Sequence, residues 1–516
     1  MIYELQRTNI DWEYKAMRSR RHSISSVNGV SWPRGLALGG SGTIGAMKYE
    51  RGNRRDYDRW EQQGNVGWGW DNVLKYFKKS ENSKVMRKSK LHNTGGYLSV
   101  DNYDIKDPIN TVLQMAAKEV GFVELKELNG NRNVGIGRAQ FMIENGTRCS
   151  PAKAFLNPVK HRTNLHIIKH AFVTSISFSK ENVAQGVNLI LRNMHSLRAI
   201  AKREVILSTG VINTAKLLML SGIGRQTDLA PLRILQRADL NVGYNLQDHV
   251  AIPLFYKFNK SSQTIINLTL EKVLNIFDYV LKNNSQPLTN HDMSSLTLNV
   301  NTVNATEPYP DVQVGYRLFK KGGITSYSVM QKMGYDWEIV ESIHRAEQKA
   351  DVVLALIGVL NPKSKGTIKL ADGDPYSDPI IKPAYFSQYD DLKTIIRAIR
   401  IHQQMLTTAT FRKNEAQLHQ LNIPACAFIQ YDTDEYWECY IRHMSTSMYH
   451  PAGTAKMGPD DDPEAVVTPQ LKVRHIGNLR IIDASVMPQI VSGGLMAPTI
   501  MIGEKGADLL KEDHSM

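Results

Sequence analysis

The feature that most constrains this chain lies near its end, where a histidine in a glycine-containing turn precedes a short apolar run that closes on an aspartate. The first part reads Tyr449-His450-Pro451-Ala452-Gly453-Thr454-Ala455-Lys456-Met457-Gly458, and the second Asn478-Leu479-Arg480-Ile481-Ile482-Asp483-Ala484-Ser485-Val486-Met487-Pro488. Leu479, Ile481 and Ile482 have the pattern of a short buried strand, and Asp483 falls where that strand emerges. Pro498 suits a first helical position, and Ile500, Ile502, Leu509 and Leu510 recur at helical spacing after it. A strand tip beside a helix N-terminus is a corner that binds anions and cofactors. A buried strand, loop and helix with a core histidine would use the same residues, and His450 alone does not decide between the two.

A second unit points the same way. Glu204-Val205-Ile206-Leu207 reads as a buried strand whose Gly210 turn feeds a helix through Leu217, Leu218 and Leu220, the repeating unit of a doubly wound sheet. Residues 165–178 alternate like two short strands. From about Leu254 to Arg442 the character changes. Polar loops such as Ser261–Thr264 and Asn283–His291 alternate there with strands such as Val352–Val359 and amphipathic helices such as Asp390–Leu406.

With 516 residues the chain can bury a large core, and two domains are expected. Lys and Arg number 63 against 50 Asp and Glu, a net +13 that could draw nucleic acid or acidic surfaces. Its basic clusters, at Arg18–His22, Arg51–Arg55 and Lys84–Lys90, carry no interleaved aromatics and no binding-module motif, so they read as solvated faces and no nucleic-acid partner is expected. Cys149, Cys426 and Cys439 have neither Cys-x-x-Cys nor metal-ligand spacing, so neither a disulfide framework nor a metal site is expected. Sequons at Asn145, Asn259, Asn267, Asn283 and Asn304 hint faintly at a secretory relative. No early apolar run has the form of a signal peptide, and none reaches the ~18 residues of a membrane span. Localisation stays open.

Further motifs stand ahead of the C-terminal block. They are Pro33-Arg34-Gly35-Leu36-Ala37-Leu38-Gly39-Gly40-Ser41 with Met47 and Arg51–Trp60; Ser208-Thr209-Gly210 through Gly224; Val242-Gly243-Tyr244-Asn245-Leu246-Gln247-Asp248-His249; and Ser364-Lys365-Gly366-Thr367-Ile368-Lys369-Leu370. In this order and over nearly the whole chain, the motifs resemble the glucose–methanol–choline (GMC) flavin oxidoreductases, in the insect glucose dehydrogenase-like branch. The resemblance implies an α/β fold. An FAD-binding doubly wound domain (residues 1–253 and 445–516) would stand beside an α+β substrate domain on an antiparallel sheet (residues 254–444). Family members open with a strand, a Gly-x-Gly-x-x-Gly turn and a helix, followed about 20 residues later by a glutamate on the adenosine ribose. Asp11-Trp12-Glu13-Tyr14 matches a stretch that follows that unit, so the first βαβ unit is expected to be missing. Gly40-Ser41-Gly42-Thr43-Ile44-Gly45 spells the fingerprint, but Trp32-Pro33-Arg34-Gly35 stands where a buried strand is required. By resemblance it is a different loop, one that approaches the flavin, where the family has Ser and Asn at the places of Gly42 and Gly45.

The resemblance also implies a function, FAD-dependent oxidation of the CH–OH group of a small alcohol or sugar. A base must take the hydroxyl proton while the carbon is held against the ring, and imidazole suits that task with its unperturbed pKa of ~6.5. His450 holds the place of the family's catalytic base. Cofactor contacts would come from Ala37, Gly39, Gly40, Ser41, Gly45, Ala46, Met47 and Lys48, from the backbone of Val173 beside the adenine, and from Asp483 and Ala484. The family's second His or Asn, which fixes the substrate oxygen, falls on Gly494. That loss, with Gly45 and the missing unit, makes an impaired or inactive relative that binds a ligand or partner the alternative.

Overall fold

The computed structural model describes residues 4–87, 89–102, 108–260 and 293–515. The polar stretches Ser261–Thr264 and Asn283–His291 and the sequons at Asn267 and Asn283 lie outside the described residues.

An eight-stranded sheet dominates the structure. Its centre is four long antiparallel strands, Val250–Phe258, Asp351–Val359, Val312–Phe319 and Met293–Val300, in that spatial order. Ala416–Leu418 and Thr446–Ser447 pair with Val250–Phe258, while Gly135–Arg138 and Glu124–Leu125 extend the far side. The sheet thus takes strands from both sides of residue 253, and Val250–Phe258 runs across it. Side chains alternate along the strands. Leu296, Leu298, Val300, Val312, Val314 and Tyr316 form one apolar set, while Ser295, Thr297, Asn299, Gln313 and Arg317 form a polar one, and both are buried. Polar sheet faces ordinarily meet water, so a buried one calls for a partner chemistry rather than a packing explanation. Helix Tyr389–Gln403 packs on this sheet, and its run of Leu392, Ile395, Ile396 and Ile399 at helical spacing is buried.

The parallel element is shorter. Val205–Leu207 pairs with Leu479–Ile481 in register, and the ladder continues through the Ile482 N–H to the Leu207 carbonyl. The first strand turns at Gly210 into helix Gly210–Leu220, as the sequence pattern predicts. The C-terminal helix spans Met496–Asp513, so Pro498 is third in the helix rather than first. Its missing N–H costs nothing there, because the first turn has no intrahelical acceptor to offer it.

Two expectations need correction. Residues 165–178 supply one strand, Ala171–Phe178, and the residues before it carry no strand. It pairs with Ala184–Leu191 in a three-stranded antiparallel sheet completed by His195–Ile200. Cys426 and Cys439 form a disulfide, because the start of helix Asp434–Met444 folds back over the turn at Pro424–Cys426. Spacing alone carried no sign of it. Cys149 is free and buried. No described helix is long and apolar enough to cross a membrane.

Candidate active site

His450 is presented by a strained turn. Residues 446–452 run antiparallel to 247–251, joined by Val250–Ser447, Ala251–Thr446 and reciprocal Gln247–Ala452 pairing. Between those anchors Tyr449 adopts a left-handed conformation with φ 65°, which disfavours a side chain by ~1–2 kcal/mol. Three bonds hold it there. The Tyr449 N–H donates to Ser447 Oγ at 2.7 Å, its carbonyl accepts from Arg34 Nη2 at 2.7 Å, and the His450 N–H donates to Asp248 Oδ1 at 2.9 Å. Asp248 Oδ2 accepts from Ser447 Oγ at 2.6 Å and from the Tyr385 hydroxyl. Burial raises the Asp248 pKa above the ordinary carboxylate value, and these donors oppose that shift.

The imidazole of His450 meets a second imidazole. Its Nδ1 lies 2.9 Å from Nδ1 of His249, with the rings nearly perpendicular. Only one of the two nitrogens can carry hydrogen, so the contact requires at least one lone pair. Burial, joined by the positive charges of Arg34 and Lys48, pushes the His450 pKa down to about 3. His249 also lies well below its ordinary value, by burial first and then by His450. Both rings are therefore neutral near pH 7. No described group hydrogen-bonds His450 Nε2.

The segment ending at Gly494 closes the other side. Asp56 Oδ2 accepts the N–H of Ser492 at 2.8 Å and its hydroxyl at 2.6 Å, and Glu50 Oε2 accepts the N–H of Gly494 at 2.9 Å. Glu50 also reaches the polar sheet face through Gln313 Nε2 at 3.4 Å, and Lys48 Nζ donates to Thr297 Oγ1 at 3.1 Å.

Around this centre the residues named for the cofactor fall into three groups. Ala37, Gly39, Gly40, Ser41, Gly45 and Ala46 are half-buried in one loop, which holds the single helical turn Ser41–Ile44, and the half-buried Lys48 opens the short strand Lys48–Tyr49 that follows it and pairs with Gln140–Phe141. Gly39 and Gly40 have positive φ, and a Cβ on Gly39 would strike Thr43 Oγ1 at 2.7 Å. Met47, with φ 61°, is buried among Leu125, Leu128, Ala139, Phe141 and Ile143. Asp483 and Ala484 stand at the tip of Leu479–Ile481, and the Ala484 carbonyl accepts the Gly453 N–H at 3.1 Å, which ties this tip to the His450 turn. Val173 is half-buried where its strand shifts register against Ala184–Leu191. It connects to the loop through Trp12, whose ring lies 6.4 Å from Phe172 and whose N–H donates to the Arg34 carbonyl at 2.9 Å.

The structure narrows how Asp483 could serve a cofactor. Its carboxylate is fully engaged within the protein, accepting from the Gly210 N–H and Thr214 hydroxyl on one oxygen and from the Ser485 N–H and hydroxyl on the other. Any cofactor contact at this position must come from its backbone. Other features fit an anionic cofactor. Arg148 donates to the Gly45 carbonyl at 2.6 Å, burial pushes its pKa down to about 10, and no described carboxylate pairs with it. A Cβ added at Gly40 or Gly210 would meet nothing within 4 Å, so space lies open over both turns.

Sequence reasoning missed Asp248, His249, Glu50, Arg148 and the side-chain role of Lys48. The Gln247-Asp248-His249 triplet was visible as a motif, and an acid beside a histidine was the available signal. Nothing local marked Glu50 or Arg148.

Comparison with known proteins agrees with this geometry. The profiles of the GMC oxidoreductase family match residues 21–251 and 362–503. Glucose dehydrogenase [FAD, quinone] of Drosophila pseudoobscura pseudoobscura is 34% identical over 511 residues, covering 98% of this chain and 78% of the relative. Ecdysone oxidase of Bombyx mori is 33% identical over 525 residues, covering 99% and 75%. Among solved structures, formate oxidase superposes with a TM-score of 0.83 at 23% identity, covering 100% of this chain and 90% of that one. Pyridoxine 4-oxidase from Mesorbium loti gives 0.79 at 22%, with the same coverage. These two establish the fold. With both family profiles matched and relatives above 30% identity along almost its full length, the chain belongs to the GMC oxidoreductases, FAD-dependent enzymes that oxidise CH–OH groups.

Proposed function

We propose that this chain oxidises the hydroxyl-bearing carbon of a small alcohol or sugar and that His450 takes the hydroxyl proton. The observation that carries this reading is the neutral His249–His450 pair, which leaves His450 Nε2 without a described partner. With hydrogen on His450 Nδ1, donated to His249 Nδ1, the lone pair sits on Nε2 and can accept a proton. In that tautomer His249 accepts through Nδ1 and carries its own hydrogen on Nε2, and Asp248 fixes the backbone that carries His450. Ala37, Gly39, Gly40, Ser41, Gly45, Ala46, Met47 and Lys48, with Val173 and the backbone of Asp483 and Ala484, would hold FAD, which when bound accepts hydride from the carbinol carbon. On this reading residues 1–253 and 445–516 serve the cofactor and 254–444 the substrate. The buried polar face of Thr297, Asn299 and Gln313 supports a substrate with more than one hydroxyl or carbonyl, as do relatives named for glucose and ecdysone. The Cys426–Cys439 disulfide supports residence in an oxidising compartment.

The test is His450→Ala in flavin-loaded protein, followed by anaerobic reduction of the flavin by alcohols. Turnover should fall by the ~10²–10⁴ of a lost general base while flavin content holds. Undiminished turnover would make His450 a core histidine.

A further inference from the structure

Position 494 lacks the polar side chain that the family places beside the substrate oxygen, and the structure shows what occupies that room. A Cβ added to Gly494 would meet Glu50 Oε2 at 3.3 Å. Glu50 is 5% exposed, and its other oxygen, Oε1, accepts no hydrogen bond. That oxygen lies 3.8 Å from Lys48 Nζ, an ion-pair distance too long for a hydrogen bond. Lys48 has three N–H donors, and the one described hydrogen bond from them goes to Thr297 Oγ1. Its charge is felt at His450 and that of Glu50 at His249, so the pair flanks the two imidazoles.

Burying such a pair is costly, and apolar residues of similar size would often serve stability as well or better. The sign of the chemistry shows which member meets substrate. As the hydroxyl proton leaves, negative charge grows on the substrate oxygen. A carboxylate would repel it and an ammonium would stabilise it.

We propose that Lys48 donates the hydrogen bond to the substrate oxygen that position 494 does not supply, and that Glu50, anchored by the Gly494 N–H, positions Lys48 to do so. The inference rests on the alcohol-oxidising reading above. Lys48 is then a catalytic residue and Glu50 a positioning one.

The experiment compares flavin-loaded wild type with Lys48→Met, Lys48→Arg, Glu50→Gln and the double variant Lys48→Met/Gly494→Asn. Lys48→Met should lower kcat by ~10²–10³, as loss of one oxyanion donor does, with KM little changed. Glu50→Gln should lose about tenfold, because the donor survives but is less well held. Gly494→Asn should recover about tenfold or more in the Lys48→Met background, by returning a donor beside the substrate oxygen as Glu50 Oε2, 3.3 Å from the new Cβ, gives way. Calorimetry with acetate, a small anion, gives a readout apart from turnover. Its affinity should weaken about tenfold in Lys48→Met, survive in Lys48→Arg and strengthen in Glu50→Gln. An active wild type whose Lys48→Met variant keeps both kcat and acetate affinity overturns the role of Lys48. A flavin-loaded wild type that no alcohol reduces overturns the alcohol-oxidising reading, and this role with it.

Discussion

The eight-stranded sheet and the parallel pair are made from similar apolar sequence and differ in what covers them. Ile357, in the middle of Asp351–Val359, is 0% exposed, whereas Ile206, in the middle of Val205–Leu207, is 40% exposed. His195–Ile200 is exposed along its whole length. Parallel strands are ordinarily covered on both faces, so this pair is short of cover at Ile206 among the described residues, while Val205, Leu207, Leu479 and Ile481 are buried. Asp483 and Ala484 sit at the tip of that less covered region. Both are buried there, and polar ties from Asp483 to Gly210, Thr214 and Ser485 add to that burial. On the other side of the site, Lys48 and Glu50 meet a sheet that is packed on both faces. One side of the site is thus backed by a sheet packed on both faces, and the other by a core strand pair with an open face at Ile206 and a cluster of hydrogen bonds at its tip.

The largest effect that would test this difference is a pair of truncations. Ile357→Ala should destabilise the protein by ~2–5 kcal/mol, through lost burial and a cavity that the flanking Ile252 and Val314 strands cannot close. Ile206→Ala should cost only about 0.5–1 kcal/mol, mostly strand preference. Chemical denaturation measures both. Equal losses would mean that Ile206 is covered in solution and that the contrast between the two regions is false.

A smaller contrast lies inside the cofactor loop. Gly42 and Gly45, which by resemblance stand at places of polar residues in the family, have different surroundings. A Cβ on Gly42 would stand 2.6 Å from Pro151 Cγ and 3.0 Å from Met496 Cε, whereas one on Gly45 would meet only the Ser41 carbonyl, at 3.1 Å. Gly42→Ser should therefore cost ~1–3 kcal/mol by overpacking. Gly45→Asn should cost less than about 1 kcal/mol, as an ordinary surface change does. Thermal melting distinguishes them, and a neutral Gly42→Ser would show that Pro151 moves freely aside.

What could be read from the sequence follows the range of the interaction that encodes it. Leu479–Ile481, helix Gly210–Leu220 and Asp351–Val359 were legible because hydrophobic period and turn residues are local signals. The imidazole proposed as the base, His450, was legible through the resemblance of the block around it. Its partner His249 was not, because their contact joins positions 201 residues apart and depends on how two segments pair. Glu50 and Gly494 are 444 residues apart, and no pattern around either names the other. The Cys426–Cys439 bond failed for a related reason, since it needs the turn before helix Asp434–Met444 to double back. At Asp483 the position was legible and the partners of its side chain were not. A carboxylate at a strand tip resembles a ligand, and only the structure shows its oxygens already taken.

Acid offers the gentlest probe of the two-sided design, because the sheet side carries histidines held neutral. His402 is 1% exposed between two sheet tyrosines, with Nδ1 at 2.6 Å from the Tyr256 hydroxyl and Nε2 at 3.1 Å from that of Tyr316. Burial pushes its pKa down to about 4, and that of His22 likewise to about 4, from an ordinary 6.5. A depressed folded pKa means that the unfolded chain binds more protons between those two values. The stability contributed by each neutral ring is therefore complete above about pH 6.5 and is lost as pH falls toward about 4. Each ring adds a slope approaching ~1.4 kcal/mol per pH unit in that window. His402→Phe should lower stability at pH 7, since both tyrosine hydroxyls lose a partner, and yet make the fall with acid shallower by about one proton. Unfolding free energies measured from pH 7 to 4.5 would show the two curves converging as pH drops. Parallel curves would mean that His402 titrates alike in the folded and unfolded chain, and that its place between two phenols does not hold it neutral.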